Sequence, residues 1–90
     1  MSKKRTKLDI IESILTSLKE KQGKMKQTRL MYKANLSHTQ MKQYLNELVQ
    51  LNILKNENVD SYKFIILTEK GFMFAEDLQK LKDFELLLKK

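Results

Sequence analysis

Residues 28–51 read TRLMYKANLSHTQMKQYLNELVQL, and two helical patterns meet inside them. The first covers Arg29–Ala34, with Leu30 and Ala34 turned inward, part of Met31 or Tyr32 beside them, and Thr28 ahead as a cap. Asn35-Leu36-Ser37 interrupts it, because Asn tolerates the positive φ of a tight turn and Leu36 is an apolar plug between helices. Ser37 then has Gln40 three residues on, the spacing of a capping box, and opens a helix to about Leu51. Met41, Tyr44, Leu45 and Leu48 fall on its inner side. His38, Thr39, Gln40, Lys42, Gln43 and Asn46 fall wholly or partly on the other. Two helices joined by a turn of about three residues, the second with a polar outer face, form a helix-turn-helix pattern.

Upstream, Leu8, Ile11, Ile14, Leu15 and Leu18 make the apolar stripe of a first helix over Lys7–Gln22. Thr6 is placed to cap it, with Asp9 in its first turn, and Gly23 is expected to supply the left-handed residue that stops it. Lys24-Met25-Lys26-Gln27 reads as an extended connection or a short edge strand. Downstream the period changes. Residues 53–56 and 62–67 are β-branched or aromatic-rich, and Glu57-Asn58-Val59-Asp60-Ser61 between them is turn-like, which predicts a hairpin. Thr68 then caps a last helix from Glu69 onward. A hairpin directly after the second helix of a helix-turn-helix is the wing of a winged helix. The expected class is α+β, mainly helical: helix, short strand, two helices, β-hairpin, and a C-terminal helix for dimerisation. The domain plan is a basic arm over residues 1–6, the winged helix over 7–67 and the dimerisation helix over 68–90.

Charge is distributed unevenly. The net +7 of the 90 residues lies wholly in residues 1–63, while residues 64–90 balance to zero. Between Glu20 and Glu47 no acid occurs, yet Lys21, Lys24, Lys26, Arg29, Lys33 and Lys42 do. Such a face suits a polyanion. The plainer reading is a lysine-rich surface that keeps the chain soluble.

Other chemistries find little support. There is no Cys and one His, so thiol catalysis, Cys-based zinc sites and a His-paired nucleophile are excluded or poorly supported. There is no Gly-rich phosphate loop and no carboxylate constellation, so no enzyme, metal, cofactor or small-molecule ligand is expected. No apolar run is long enough to span a membrane and no secretory signal opens the chain, so a soluble, cytoplasmic protein is expected, in the host cell if viral.

The stretches Thr6-Lys7-Leu8-Asp9-Ile10-Ile11, Thr28–Ser37 and Leu67-Thr68-Glu69-Lys70-Gly71 make the chain resemble archaeal winged-helix DNA-binding proteins. It resembles in particular the small dimeric chromatin-associated family of Sulfolobus named for its ten-kilodalton size, and is similar to related regulators of archaeal viruses and plasmids. The resemblance implies double-stranded DNA as partner and a homodimer formed by antiparallel pairing of the last helix.

On this reading His38, Thr39, Gln40, Lys42, Gln43 and Asn46 are candidate base readers in the major groove. Gln offers a bidentate pair to adenine and Lys a donor to guanine. Lys24, Lys26, Arg29, Lys33, Ser37, Lys55 and Lys63 are candidate phosphate contacts, with Ser37 better explained as a cap. Glu57 and Asp60 at the wing tip would repel phosphates, so the wing's flanks are favoured over its tip. The arm residues Lys3, Lys4 and Arg5 are placed to enter a minor groove, or else form a frayed end. Phe74, Leu78, Leu81, Phe84, Leu87 and Leu88 form the apolar stripe of the expected dimer contact. Three functions stay open: a dimeric transcription regulator, a nucleoid architectural protein of low sequence specificity, and a winged-helix module for binding other proteins.

Overall fold

The computed structural model describes residues 5–89. The elements run α1 (Lys7–Glu20), β1 (Lys24–Lys26), α2 (Gln27–Lys33), α3 (His38–Gln50), β2 (Leu54–Val59), β3 (Tyr62–Leu67) and α4 (Glu69–Leu88). The three strands form an antiparallel sheet in the order β1-β3-β2.

α1 begins in a full capping box. The Thr6 hydroxyl accepts from the Asp9 amide at 3.0 Å, and the Asp9 carboxylate accepts from the Thr6 amide at 2.9 Å. Ile10, Ile14, Leu15 and Leu18 are buried, but Leu8, expected on the same stripe, is 50% exposed. Three helices then stop in one way. Gln22, Asn35 and Asn52 each stand at positive φ (60°, 57° and 62°) just past α1, α2 and α3. The amide of the following residue reaches back to the third-last helical carbonyl: Gly23 to Leu18, Leu36 to Met31, Ile53 to Leu48. These are Schellman ends, which satisfy carbonyls the helix leaves over. Leu36 and Ile53, the residues after the left-handed position, are buried and anchor their turns. At the end of α1 the left-handed role falls to Gln22 as well as Gly23, so this helix stops two residues earlier than its composition suggests.

Thr28 is not the cap of α2. The helix starts at Gln27, with Lys26 as N-cap and no side-chain cap bond. Lys26 is still paired with Phe64 in the sheet, so the chain passes from strand to helix without a loop and Thr28 is drawn into the first turn. Leu30 and Ala34 face the core as expected, and Met31 packs against it, but Tyr32 is 80% exposed. α3 has the predicted capping box: the Ser37 hydroxyl accepts from the Gln40 amide and the Gln40 carbonyl accepts from the Ser37 amide, both at 3.1 Å.

The hairpin is tighter than its composition indicates. Its turn is only Asp60-Ser61, both at positive φ (48° and 69°), the geometry that matches strand twist in a two-residue hairpin. Glu57 therefore sits within β2, opposite Phe64, rather than at the tip. One sheet face packs inward through Met25, Leu54, Ile65 and Leu67. Thr68 caps α4 by accepting from the Gly71 amide at 2.9 Å, and donates to the Asn52 carbonyl at 2.6 Å. That bond ties the start of α4 to the end of α3. Ala75 and Leu78 bury α4 against the rest of the domain. No helix among the described residues is long and apolar enough to cross a membrane.

Candidate nucleic-acid interface

Burial of Met41, Tyr44, Leu45 and Leu48 leaves His38, Thr39, Gln40, Lys42, Gln43 and Asn46 all exposed along α3. They do not form one uniform face. Lys42 and Asn46 line a cleft between α3 and the hairpin, closed by Gln27, Leu45, Asn56, Asn58 and Lys63. His38 lines a neighbouring hollow with Lys26, Thr28, Met31, Tyr62 and Lys63. Thr39 and Gln43, one turn apart, stand outside both. Gln40 is already engaged: its carbonyl accepts from the Ser37 amide, which holds the side chain back against the start of α3. Ser37 is likewise committed as a cap.

The sheet register divides the lysines of the wing. Side chains alternate between the two faces of a strand, and cross-strand partners share a face. Lys63 pairs with Asn58 and belongs to the inner face with Asn56. Lys55 pairs with Ile66, itself opposite Lys24, and belongs to the outer face. The two wing lysines are thus not a single flank. Gln27, Asn56 and Asn58 enter the cleft without having been singled out in the sequence. The signal was there: on the inward period of β2, Leu54 is followed by Asn56 and Asn58, a change from apolar to carboxamide with no change of face.

The acids of residues 5–63 are tied down almost completely. Glu20 binds Lys33 at 2.7 Å, Glu47 binds Lys7 at 2.7 Å, and Glu57 binds Lys24 at 2.9 Å. Asp9 and Glu12 share Lys82 at 3.0 and 3.5 Å. Of the acids in residues 5–63, Asp60 alone has no ion pair among the described residues. Lys33 holds the Glu20 carboxyl below its ordinary value, and Glu47 raises Lys7. The same pairing occupies two expected phosphate contacts, Lys24 and Lys33. Lys26 stacks its ammonium over Tyr62, 4.0 Å from the ring centre. Lys26, Arg29, Lys42, Lys55 and Lys63 have no acidic partner among the described residues.

Arg5 is fastened to the domain rather than extended from it. Its guanidinium donates to the Asn35 carbonyl at 3.1 Å, at the turn between α2 and α3, and to the Ser13 hydroxyl at 2.9 Å. Lys3 and Lys4 lie outside the described residues. Among the described residues, no three His, Asp or Glu side chains gather as a metal site would require.

The apolar surface is elsewhere. A groove with almost no polar lining runs between α1, the end of α3 and α4, past Leu8, Ile11, Leu51, Phe74 and Leu81. Phe74, Leu81, Phe84, Leu87 and Leu88 are 45–68% exposed. Leu78, expected with them, is instead buried within its own chain. Lys82 extends the contact of α4 with α1 by a further turn, so α4 belongs to the domain over most of its length.

A family model described as winged helix-turn-helix matches residues 4–86. The fold is similar to that of Sso10a-2, a DNA-binding protein from Sulfolobus solfataricus, with TM-score 0.83 and 24% identity over 94% of this chain and 86% of that one. It is similar to a winged-helix DNA-binding protein from STIV, with TM-score 0.76 and 23% identity over 87% of this chain and 90% of that one. It also matches AbsC, a MarR family transcriptional regulator from Streptomyces coelicolor, with TM-score 0.71 and 23% identity over 78% of this chain but only 50% of that one. No curated protein sequence matches the chain.

Proposed function

The chain belongs to the winged helix-turn-helix family, and from that premise we propose that it binds double-stranded DNA as a homodimer and regulates transcription, with α3 in the major groove. The observation that carries this is the exposed α3 face, free of acid, in a stretch, residues 5–63, where every acid but Asp60 has an ion-pair partner among the described residues. His38, Thr39 and Gln43 are its base readers, and Lys26, Arg29, Lys42 and Lys63 its unpaired cations toward phosphate. Lys24 and Lys33 would have to exchange a carboxylate for a phosphate, so they add little. Four phosphate contacts give a slope of log affinity against log salt of about −4.

The apolar surface supports the dimer. Leu81, Phe84, Leu87 and Leu88 are exposed in one protomer. Covering four such side chains gains roughly 6–12 kcal/mol before association costs. A second copy, with the same stripe and a charge-balanced last third, is the partner this surface fits.

One observation favours the second reading, a nucleoid architectural protein that binds with little sequence preference. Gln40 is held against the cap by its bond from Ser37, which leaves fewer side chains directed to base readout. Selection of duplexes from a random pool at two salt concentrations separates the two. A preferred site bound about a thousandfold above scrambled DNA marks a regulator. Equal binding marks the architectural role. Absence of duplex binding at low salt removes DNA and leaves a protein-binding module.

A further inference from the structure

We propose that the outer face of the sheet is a second nucleic-acid site, which takes a single strand by stacking two unpaired bases on Tyr62 and Phe64. It goes beyond the duplex reading, which uses α3 and the inner side of the hairpin.

Register puts Tyr62, Phe64 and Ile66 of the central strand on this face, between Lys24 and Lys26 of β1 and Lys55 of β2. The core lies against the opposite face, through Met25, Leu54, Ile65 and Leu67. Tyr62 is exposed and Phe64 half-buried, so both rings reach the surface. Two residues apart on one strand, they stand about 7 Å from each other. One nucleotide of an extended strand bridges that gap, as on other sheets that present aromatic residues to bases. A duplex cannot use such rings, because its bases are stacked on one another and show only their edges. The ring faces are turned outward. The Lys26 ammonium stands over Tyr62, 4.0 Å from the ring centre, and that of Lys24 over Phe64 at 5.0 Å. Both lysines lean diagonally to do so, since their partners across the ladder are Phe64 and Ile66. A base laid on either ring takes the place of the ammonium, and the released cation moves to the phosphate of the same strand. Lys55 adds a cation from the other edge. Glu57 is the one carboxylate on this face, and Lys24 pairs with it. Three lysines against one acid leave the platform positive, which suits a strand that carries a charge on every nucleotide.

The test uses the full-length protein and labelled dT and U homopolymers of about twelve nucleotides, with an abasic strand of equal length and a blunt duplex as controls. Fluorescence anisotropy at low salt reads affinity, and thermal melts verify that each variant folds. The parent is expected to bind a homopolymer at least tenfold more tightly than the abasic strand, which has the same charge and no bases. Tyr62→Ala and Phe64→Leu should each weaken that binding about tenfold, whereas Tyr62→Phe, which keeps the ring, should bind like the parent. Phe64→Leu keeps the apolar bulk and should leave duplex affinity unchanged. Tighter binding of U assigns the face to RNA, and tighter binding of dT to single-stranded DNA. Failure to bind either homopolymer overturns the site, as does an abasic strand bound equally well, which reduces the contact to charge alone. A Phe64→Leu variant that loses duplex and single strand in equal measure also overturns it. All three failures leave the duplex reading untouched, because that rests on the blunt duplex and on α3.

Discussion

Gly71, in the first turn of α4, packs against the carbonyl oxygen of Ile53, so closely that a Cβ at this position would overlap that oxygen and the Leu67 side chain. The same carbonyl receives the Thr68 amide at 3.1 Å, so it has little freedom to move. Gly71→Ala gains about 1 kcal/mol of helix propensity but must push α4 away from the sheet. The expected net result is a destabilised protein, by roughly 1–3 kcal/mol. Urea denaturation checks it, and a variant as stable as the parent would show that the junction yields.

Asp9 couples the start of α1 to α4. Its carboxylate is held at about 2, first by the backbone amide of Thr6, then by Lys82 and the Thr6 hydroxyl. A folded value below the ordinary 3.8 means that the contribution is fully present above that value. It is lost as pH falls toward 2. The melting temperature should therefore drop between pH 4 and pH 2, and Asp9→Asn should start lower and lose part of that slope. Lys82 is raised by the same bond and stays charged throughout this range, so the loss in acid is set by Asp9. Melts at half-unit intervals of pH are the measurement. Equal slopes in parent and variant would remove the link.

The two residues of the α3 capping box should separate stability from recognition. Ser37→Ala removes one acceptor and should cost about 1 kcal/mol of stability, with base preference unchanged. Gln40→Ala should behave similarly and leave base preference unchanged, since its carbonyl serves Ser37. Gln43→Ala should leave stability unchanged and relax preference at one base pair by about 1–3 kcal/mol. Chemical denaturation and binding to a panel of single-base variants would read both, and a Gln40→Ala preference change would contradict the division.

Along α4, neighbouring leucines should respond in opposite ways. Leu81 and Phe84 are 63% and 57% exposed, whereas Leu78 is 8% exposed. Leu81→Asp with Phe84→Asp should leave the chain folded and convert the proposed dimer to a monomer of about the parent chain's 10.7 kDa in sedimentation. Leu78→Ala should instead destabilise the fold by about 2–5 kcal/mol. A parent chain that already sediments as a monomer at micromolar concentration excludes the dimer in this form.

Much of this molecule is written in short-range pattern. The 3.6-residue spacing of Met41, Tyr44, Leu45 and Leu48 determines which side of α3 faces solvent, and Ser37 with Gln40 determines where it begins. Both are relations within one turn or two of a single helix, where backbone geometry alone sets the neighbours. Element order followed from the same local signals. What the tertiary structure decided is every relation between segments. Thr28 lost its capping role because β1 runs straight into α2. Leu8 and Leu78 exchanged expected places because α4 lies across α1. Lys55 and Lys63 parted to opposite faces because strand pairing joins Lys55 to Ile66 and Lys63 to Asn58. Lys24 and Lys33 ceased to be free cations because Glu57 and Glu20 fold beside them. Periodicity states which way a side chain points from its own backbone. Which charge meets it there depends on the register and packing of residues far away in the chain, and those exist only once the core has closed.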